Sequence, residues 1–409
     1  MTHLRRAALP LLLAALTVLV FDAVAWFAVP ERLTAFASSY RKTHLLSARS
    51  GHPALARSDE RYYFQADEAT GFDIRPGARM MHEFGETPSE IFANALGCFD
   101  RNEVATLRAA PYHYFAGDSF TWGFADYDSK FATVWERATR KAAAKCGISH
   151  TGQAHQLEKF KRVAAAIGRM PDTVFVGFYV NDPANDAAFP HTTVVEGFMV
   201  DTVYLRDGEL SRPGIAEVRR VVADSLRELE RPLHWLERAK AVVWVFSLSA
   251  NLANHARLRA TGGLEPRPPL ASPAPLRPSE RTAPAADRPT SRFGDNLYYW
   301  YDMRTLKTAY AADPRTAANR AAIARWARHA RENGYRLVLL LFPPSDAHDD
   351  PELFGQVRGF LDSQAIEHLD FARLFRAEGL RVEDLYWKTN GHWNPGGNRA
   401  VGRLLAARY

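Results

Sequence analysis

Residues Pro111 to Ala125 read PYHYFAGDSFTWGFA. An aromatic run, Tyr112 to Ala116, stops at Gly117-Asp118-Ser119 and resumes as Phe-Thr-Trp-Gly. β-Branched and aromatic runs bounded by Gly and Asp read as a strand ending in a sharp turn. The turn presents one hydroxyl, that of Ser119, between an acid and an aromatic side chain.

Further strands follow. DTVFVGFYV (172–180) and YRLVLLLFPP (335–344) are apolar throughout, and IEHLDF (366–371) is a shorter candidate. Helical stretches lie between them: SKFATVWERATRKAAA, HQLEKFKRVAAAIGRM, RTAANRAAIARWARHARENG and a closing GGNRAVGRLLAARY. Strands apolar on both faces and separated by helices imply parallel βαβ units. The expectation is a doubly wound α/β sheet with functional residues at the carboxyl ends of its strands. The core falls at 111–185 and 300–409, with an insertion at 186–299 between the third and fourth strands. FMVDTVYLRDGEL in the insertion reads as a hairpin, and Ala216 to about Arg259 as helical. The stretch 264–290 is too rich in Pro and small residues to pack and reads as disordered. Residues 31–110 read as an irregular leader with frequent turn signals.

At the N-terminus Arg5 and Arg6 precede an apolar stretch from Ala7 to Val29, interrupted by Asp22. It is long enough to span a bilayer, with Trp26 and Phe27 suited to the interface. Ala23-Val24-Ala25 also fits a signal-peptide cleavage site, so residues 1–30 read as an inner-membrane anchor or a cleaved signal. Either way the rest of the chain is expected on the periplasmic or outer side, single-pass or secreted. Cys98 and Cys146 are the only cysteines, without metal-type spacing, and their pairing is left open. The 409 residues carry a net charge of +6, but mixed-sign runs such as VRRVVADSLRELERPLHWLERAK read as solvated helix faces. With no nucleic-acid-binding signature, nucleic acid is not expected as a partner.

Three stations carry chemistry. Ser119 is mounted after a strand, as a nucleophile needs, although Thr121 departs from a Gly-x-Ser-x-Gly elbow and an ordinary turn is the alternative. Asn181 stands where VGFYVND leaves a buried strand and could donate into the same pocket, or merely form an Asn-Asp-Pro turn. His392, in TNGHWNPGGN, sits in a Gly- and Pro-rich loop before a helix and suits a general base, or a structural histidine.

The order Ser, Asn, His in these contexts resembles the SGNH, or GDSL-like, hydrolase family, in its exported, membrane-anchored form. KCGISHTGQAHQ (145–156) is similar to that family's second block, and FDIRPG and NALGCFD to its leader. The resemblance covers about 62–185 and 320–409. It implies a three-layer α/β/α, flavodoxin-like sheet, with Ser119 as nucleophile and His392 as base. It also implies an oxyanion hole built from the Ser119 N–H, a block-two glycine N–H and the Asn181 side chain. By spacing, the second block-two glycine falls on His150, and Gly152 is the nearest glycine able to serve. Tyr179 replaces the glycine of the third block. The family's acid, two or three residues before the histidine, is replaced by Asn390 and Thr389, leaving Asn390 or Asp384 as the orienting group. An amide can accept the ring N–H but brings no charge to the imidazolium, and the corresponding change in serine proteases costs roughly 10⁴ in rate.

The implied activity is cleavage of an ester, such as an O-acetyl group on an envelope glycan. Transfer of an acyl group to a glycan hydroxyl, fed by a membrane partner, is the alternative, as is a glycan-binding protein with weakened catalysis. The expected partners are an ester-bearing small molecule or glycan and the inner membrane. No metal or cofactor is expected, since the chain has no phosphate-cradling Gly-rich loop and no paired His at ligand spacing.

Overall fold

The computed structural model describes residues 16–17, 63–82, 89–207, 209–230, 290–291, 294–295, 303–388 and 391–409. Most of the N-terminal apolar segment, the Pro-rich stretch, the helical reading beyond 230 and Asn390 lie outside the described residues. Two compact units are distinguished: His52–Ala223 with Arg277–Tyr409, and Met1–Gly51 with Asp224–Leu276. Of the second, only 16–17 and 224–230 are described. Among the described residues no helix is long and apolar enough to cross a membrane.

The larger unit is built on a parallel sheet of β1 (Tyr112–Ala116), β2 (Ala142–Lys145), β3 (Thr173–Phe178), β4 (Arg336–Leu341) and β5 (Glu367–Asp370). Its five strands run in the order β5-β4-β3-β1-β2. All six residues of β3 are buried, because alternate side chains enter apolar clusters on opposite faces. Tyr114, Val174, Val176 and Leu339 join Phe160 and Trp326 on one face. Phe115, Phe175, Leu340 and Phe342 join Phe131, Trp135 and Trp393 on the other. The helices that position the site are α1 (Ser119–Trp122), α2 (Phe131–Thr139), α3 (Gln153–Ile167), α4 (Asp182–Ala188), α5 (Ala317–Asn333) and α6 (Pro395–Ala406). Because β1 and β3 are neighbours with β2 outboard, the connections leaving β1 and β3 diverge. Their carboxyl ends are therefore the topological switch point, where sheets of this kind place their ligands.

Three expectations change. The helix read through RKAAA ends at Thr139, where Arg140 turns left-handed with φ 57°, and Ala142–Lys145 pair with β1 instead. Ala143 and Ala144 are fully buried, so parallel pairing overrides alanine's helix propensity. The leader is not irregular from residue 63 onward: Phe64–Asp67 pairs with Gly71–Ile74, and Arg79–His82 with Ser89–Phe92. Its Ala-Thr-Gly signal is a hairpin turn, and Tyr63, Phe64, Phe72 and Ile74 pack with Trp122, Phe124 and Ile148. The leader therefore backs the serine turn. FMVDTVYLRDGEL forms parts of two hairpins, because Phe198–Asp201 pairs back onto Thr192–Val195 while Tyr204–Arg206 pairs with Glu209–Ser211. The helix after it is described over Ile215–Glu230.

Cys98 and Cys146 form a disulfide that fastens the leader to the end of β2. Beside it, the fully buried Lys145 ammonium meets Asp100 at 2.7 Å and Glu136 at 2.7 Å. Burial alone would lower the Lys145 pKa, but these carboxylates outweigh it and hold the amine above the usual lysine value.

Candidate active site

Ser119 opens α1 immediately after the β1 turn, and the buried Asp118 caps that helix by accepting the Phe120 N–H at 3.0 Å. Only glycine fits at 117. Its φ is +150°, and a Cβ there would stand 2.0 Å from Thr121 Oγ1. The turn is held against β2 by the Ile148 N–H, which donates to the Gly117 carbonyl at 3.0 Å.

His392 reaches this serine from 273 residues away, with Nε2 2.8 Å from Ser119 Oγ. The residues that follow it are anchored one by one. Trp393 is buried and pairs with Tyr386 in an isolated bridge, and Asn394 caps α6 by accepting the Gly397 N–H at 2.9 Å. Asn398 accepts from Phe131 N–H at 3.2 Å and donates to the Trp393 carbonyl at 3.2 Å, tying the loop to α2. The imidazole lies flat against Phe124, with centroids 3.7 Å apart and planes at 16°, and Phe120 lies 4.9 Å away at 34°. With the ring proton on Nδ1, Nε2 accepts the serine hydrogen, which is the geometry of a general base and its nucleophile.

Asn181 follows β3 by three residues and stands at the N-cap of α4, with little exposure. Its side-chain Oδ1 is buried without a hydrogen-bond partner among the described residues. Gly152 caps α3, where a Cβ would stand 2.4 Å from Asp186 Oδ1, so the close approach requires glycine. His150, which occupies the place of the resembled family's glycine, takes the left-handed conformation that glycine would favour, at φ 61°.

A buried polar network beneath these loops was not singled out from the sequence. Asp182 accepts the Tyr179 N–H at 2.9 Å and the Gln153 side chain at 2.5 Å. Asp186 accepts the Ala154 N–H at 2.8 Å and the Asn319 amide at 2.7 Å, and Asn319 also donates to Gln153 Oε1 at 2.5 Å. The end of β3, the start of α3 and the start of α5 are thus fixed to one another. Burial pushes Asp186 up to about 7, against the hydrogen bonds from Ala154 and Asn319. Burial also pushes Asp118 up to about 7. Asp182 lies well above the usual carboxylate range, through burial first and then the charges of Asp118 and Asp186. The signal available in the sequence was the i, i+4 spacing of Asp182 and Asp186 in NDPAND, on one face of a helix.

The structure thus brings together Ser119 and His392, and places Asn181 and Gly152 at the ends of the neighbouring segments. Asp384 is not brought to the base. It is exposed and committed to Arg381, whose Nε and Nη2 meet its carboxylate at 2.9 and 3.2 Å. An exposed acid beside an exposed guanidinium pairs there rather than in a buried site. Asp118 faces the serine, 3.4 Å from Oγ.

No family model matches the chain, and no curated protein matches it. Among solved structures, a match is found to a protein from Desulfitobacterium hafniense DCB-2 assigned to the G-D-S-L family as a lipolytic protein. The two share 11% identity with a TM-score of 0.33, over 73% of this chain and 99% of the other.

Proposed function

We propose that the chain is a serine-dependent ester hydrolase of the SGNH kind. The observation that carries this reading is the 2.8 Å contact between Ser119 Oγ and His392 Nε2 at the carboxyl ends of a parallel sheet. Ser119 Oγ bonds to the ester carbonyl carbon as its proton passes to Nε2. The carbonyl electron pair moves to oxygen, held by the Ser119 and Gly152 N–H groups and the Asn181 amide. Collapse expels the alcohol, which takes the proton from Nε2, and water attacks the acyl-serine with the same base. Where the family has its acid this chain has Thr389 and Asn390, so that position brings no charge to the imidazolium, which lowers the rate and does not abolish it. The three-layer SGNH arrangement accords with the strand order and the two apolar clusters.

Export fits the basic-then-apolar N-terminus, whether anchored or cleaved, and the Cys98–Cys146 disulfide, which persists in oxidising compartments. The substrate proposed is an O-acyl ester of an envelope glycan, within reach of the half-buried Tyr179 and Trp387 rings beside the site. A fluorophosphonate probe should label the wild type and leave Ser119→Ala unlabelled, and equal labelling of both would remove the reading. Supplying a labelled acyl donor with a glycan acceptor then decides between hydrolysis and transfer: free acid marks an esterase, acylated glycan a transferase.

A further inference from the structure

His392 is one of four neighbouring rings. Phe124 stacks on it at 3.7 Å and 16°, and Phe120 meets it at 4.9 Å and 34°. Tyr179 continues beyond Phe120 at 4.4 Å and 37°. Edge-on contacts flank these rings: Phe120 meets Trp393 at 82°, and Trp122 meets Phe124 at 86°.

Phe124 is held by its backbone as firmly as by its ring. Gly123, at φ 99°, turns the chain out of α1 and donates its N–H to the Ser119 carbonyl at 2.9 Å. Trp387 Nε1 donates to the Phe124 carbonyl at 2.9 Å, which joins this segment to the chain leading to His392. Below the turn, the buried Lys130 donates to the Phe99 carbonyl at 3.0 Å and pins the loop to the leader.

We infer that Phe124 is a positioning residue for the base. Its ring fixes the plane of the His392 imidazole, and its π face stabilises the imidazolium formed when Ser119 gives up its proton. A parallel ring at 3.7 Å blocks rotation about the histidine's last side-chain bond, which would swing Nε2 away from Ser119. An aromatic face also attracts a cation more than a neutral ring, and does so more strongly where water is excluded, as around Phe124 at 7% exposure. The chain has Asn390 and Thr389 where a charged acid would otherwise stand, so this contribution bears directly on the base. The inference rests on the hydrolase reading for its kinetic meaning, but its test does not.

Of the ionisable groups around the ring, Asp118 lies 3.4 Å from Ser119 Oγ, Tyr179 packs on Phe120, and Lys130 packs beneath Gly123. None is altered by changing Phe124. In the full chain labelled with isotopic histidine, the His392 resonance is assigned by its loss in His392→Gln and titrated by NMR. Phe124→Leu should lower its midpoint by roughly half a unit to one and a half units, a threefold to thirtyfold change in protonation. Phe124→Tyr should leave it within about 0.3 of a unit of the wild type, since the face is retained. The sign decides the matter. If the ring only excluded water, its removal would hydrate the imidazolium and raise the midpoint. A midpoint that rises or stays in place in Phe124→Leu overturns the inference, and so does a Tyr variant that behaves like Leu. Phe124→Met, similar in volume and not aromatic, replaces Leu should that variant fail to fold. Failure of the wild type to react with a fluorophosphonate would remove the hydrolase reading while leaving the titration to decide the stack.

Discussion

Replacing Cys98 and Cys146 together by serine should cost stability without abolishing the site. The bridge closes a loop with a sequence separation of 48, and both cysteines are buried. In the chain-entropy model a loop of about 48 residues gives roughly 4 kcal/mol at 25 °C. For a unit of about 300 residues, unfolding entropy near 2.1 cal/mol/K per residue turns that into a fall of roughly 6 °C in Tm. The serine turn should survive, because the same two segments are joined next door. Lys145 N–H donates to Asp100 Oδ2 at 3.0 Å and the Lys145 ammonium meets Asp100 at 2.7 Å, inside the protein. The assay is urea denaturation of oxidised wild type, reduced wild type and the double serine variant, each followed by fluorophosphonate labelling. The reduced wild type and the variant should shift alike by 2–5 kcal/mol and keep labelling within about threefold of wild type. A shift below about 1 kcal/mol, or lost labelling in a variant that is still folded, would refute this reasoning.

Asp186 makes stability depend on pH with a definite sign. Its pKa is raised from 3.8 to about 7 in the folded protein, so the native state binds more protons and the contribution is complete below about pH 4. It is lost as pH rises through about 7, by an amount on the order of 4 kcal/mol. Asp186→Asn should therefore destabilise most at pH 4–5 and least at pH 8 when the two proteins are compared by denaturation. A gap that widens with pH contradicts the assignment. Gly117→Ala should cost about 3 kcal/mol and slow Ser119 labelling, because its Cβ would meet Thr121 Oγ1 at 2.0 Å. Gly77→Ala, at φ +72° with open space around it, should cost only about 1–2 kcal/mol and leave labelling unchanged.

Much of the sheet was legible because its strands are apolar on both faces. TVFVGF and RLVLLL need no partner information to be read as buried strands. β2 was not legible, since AAAK carries a helical propensity that only pairing with β1 overrides. The leader hairpins were hidden for a related reason: four-residue strands such as GFDI are too short to show a period, and their turn residues dominate the local pattern. The meeting of Ser119 with His392 was readable from the strand end and the loop that carry them. The Gln153–Asp182–Asp186–Asn319 network was not, because it joins three segments that only the folded sheet makes neighbours. The same holds for Phe124. In the sequence it is one aromatic among 24 phenylalanines, and only the return of the His392 loop gives it a ring to hold.

The central claim is that Ser119 is a nucleophile activated by His392. Its most direct test is the rate and site of fluorophosphonate attachment, mapped by peptide mass spectrometry in wild type, Ser119→Ala and His392→Ala. The account expects one modified peptide, containing Ser119, absent from Ser119→Ala and formed at least about 100-fold more slowly in His392→Ala. Modification at another residue, or a wild-type rate in His392→Ala, would contradict it.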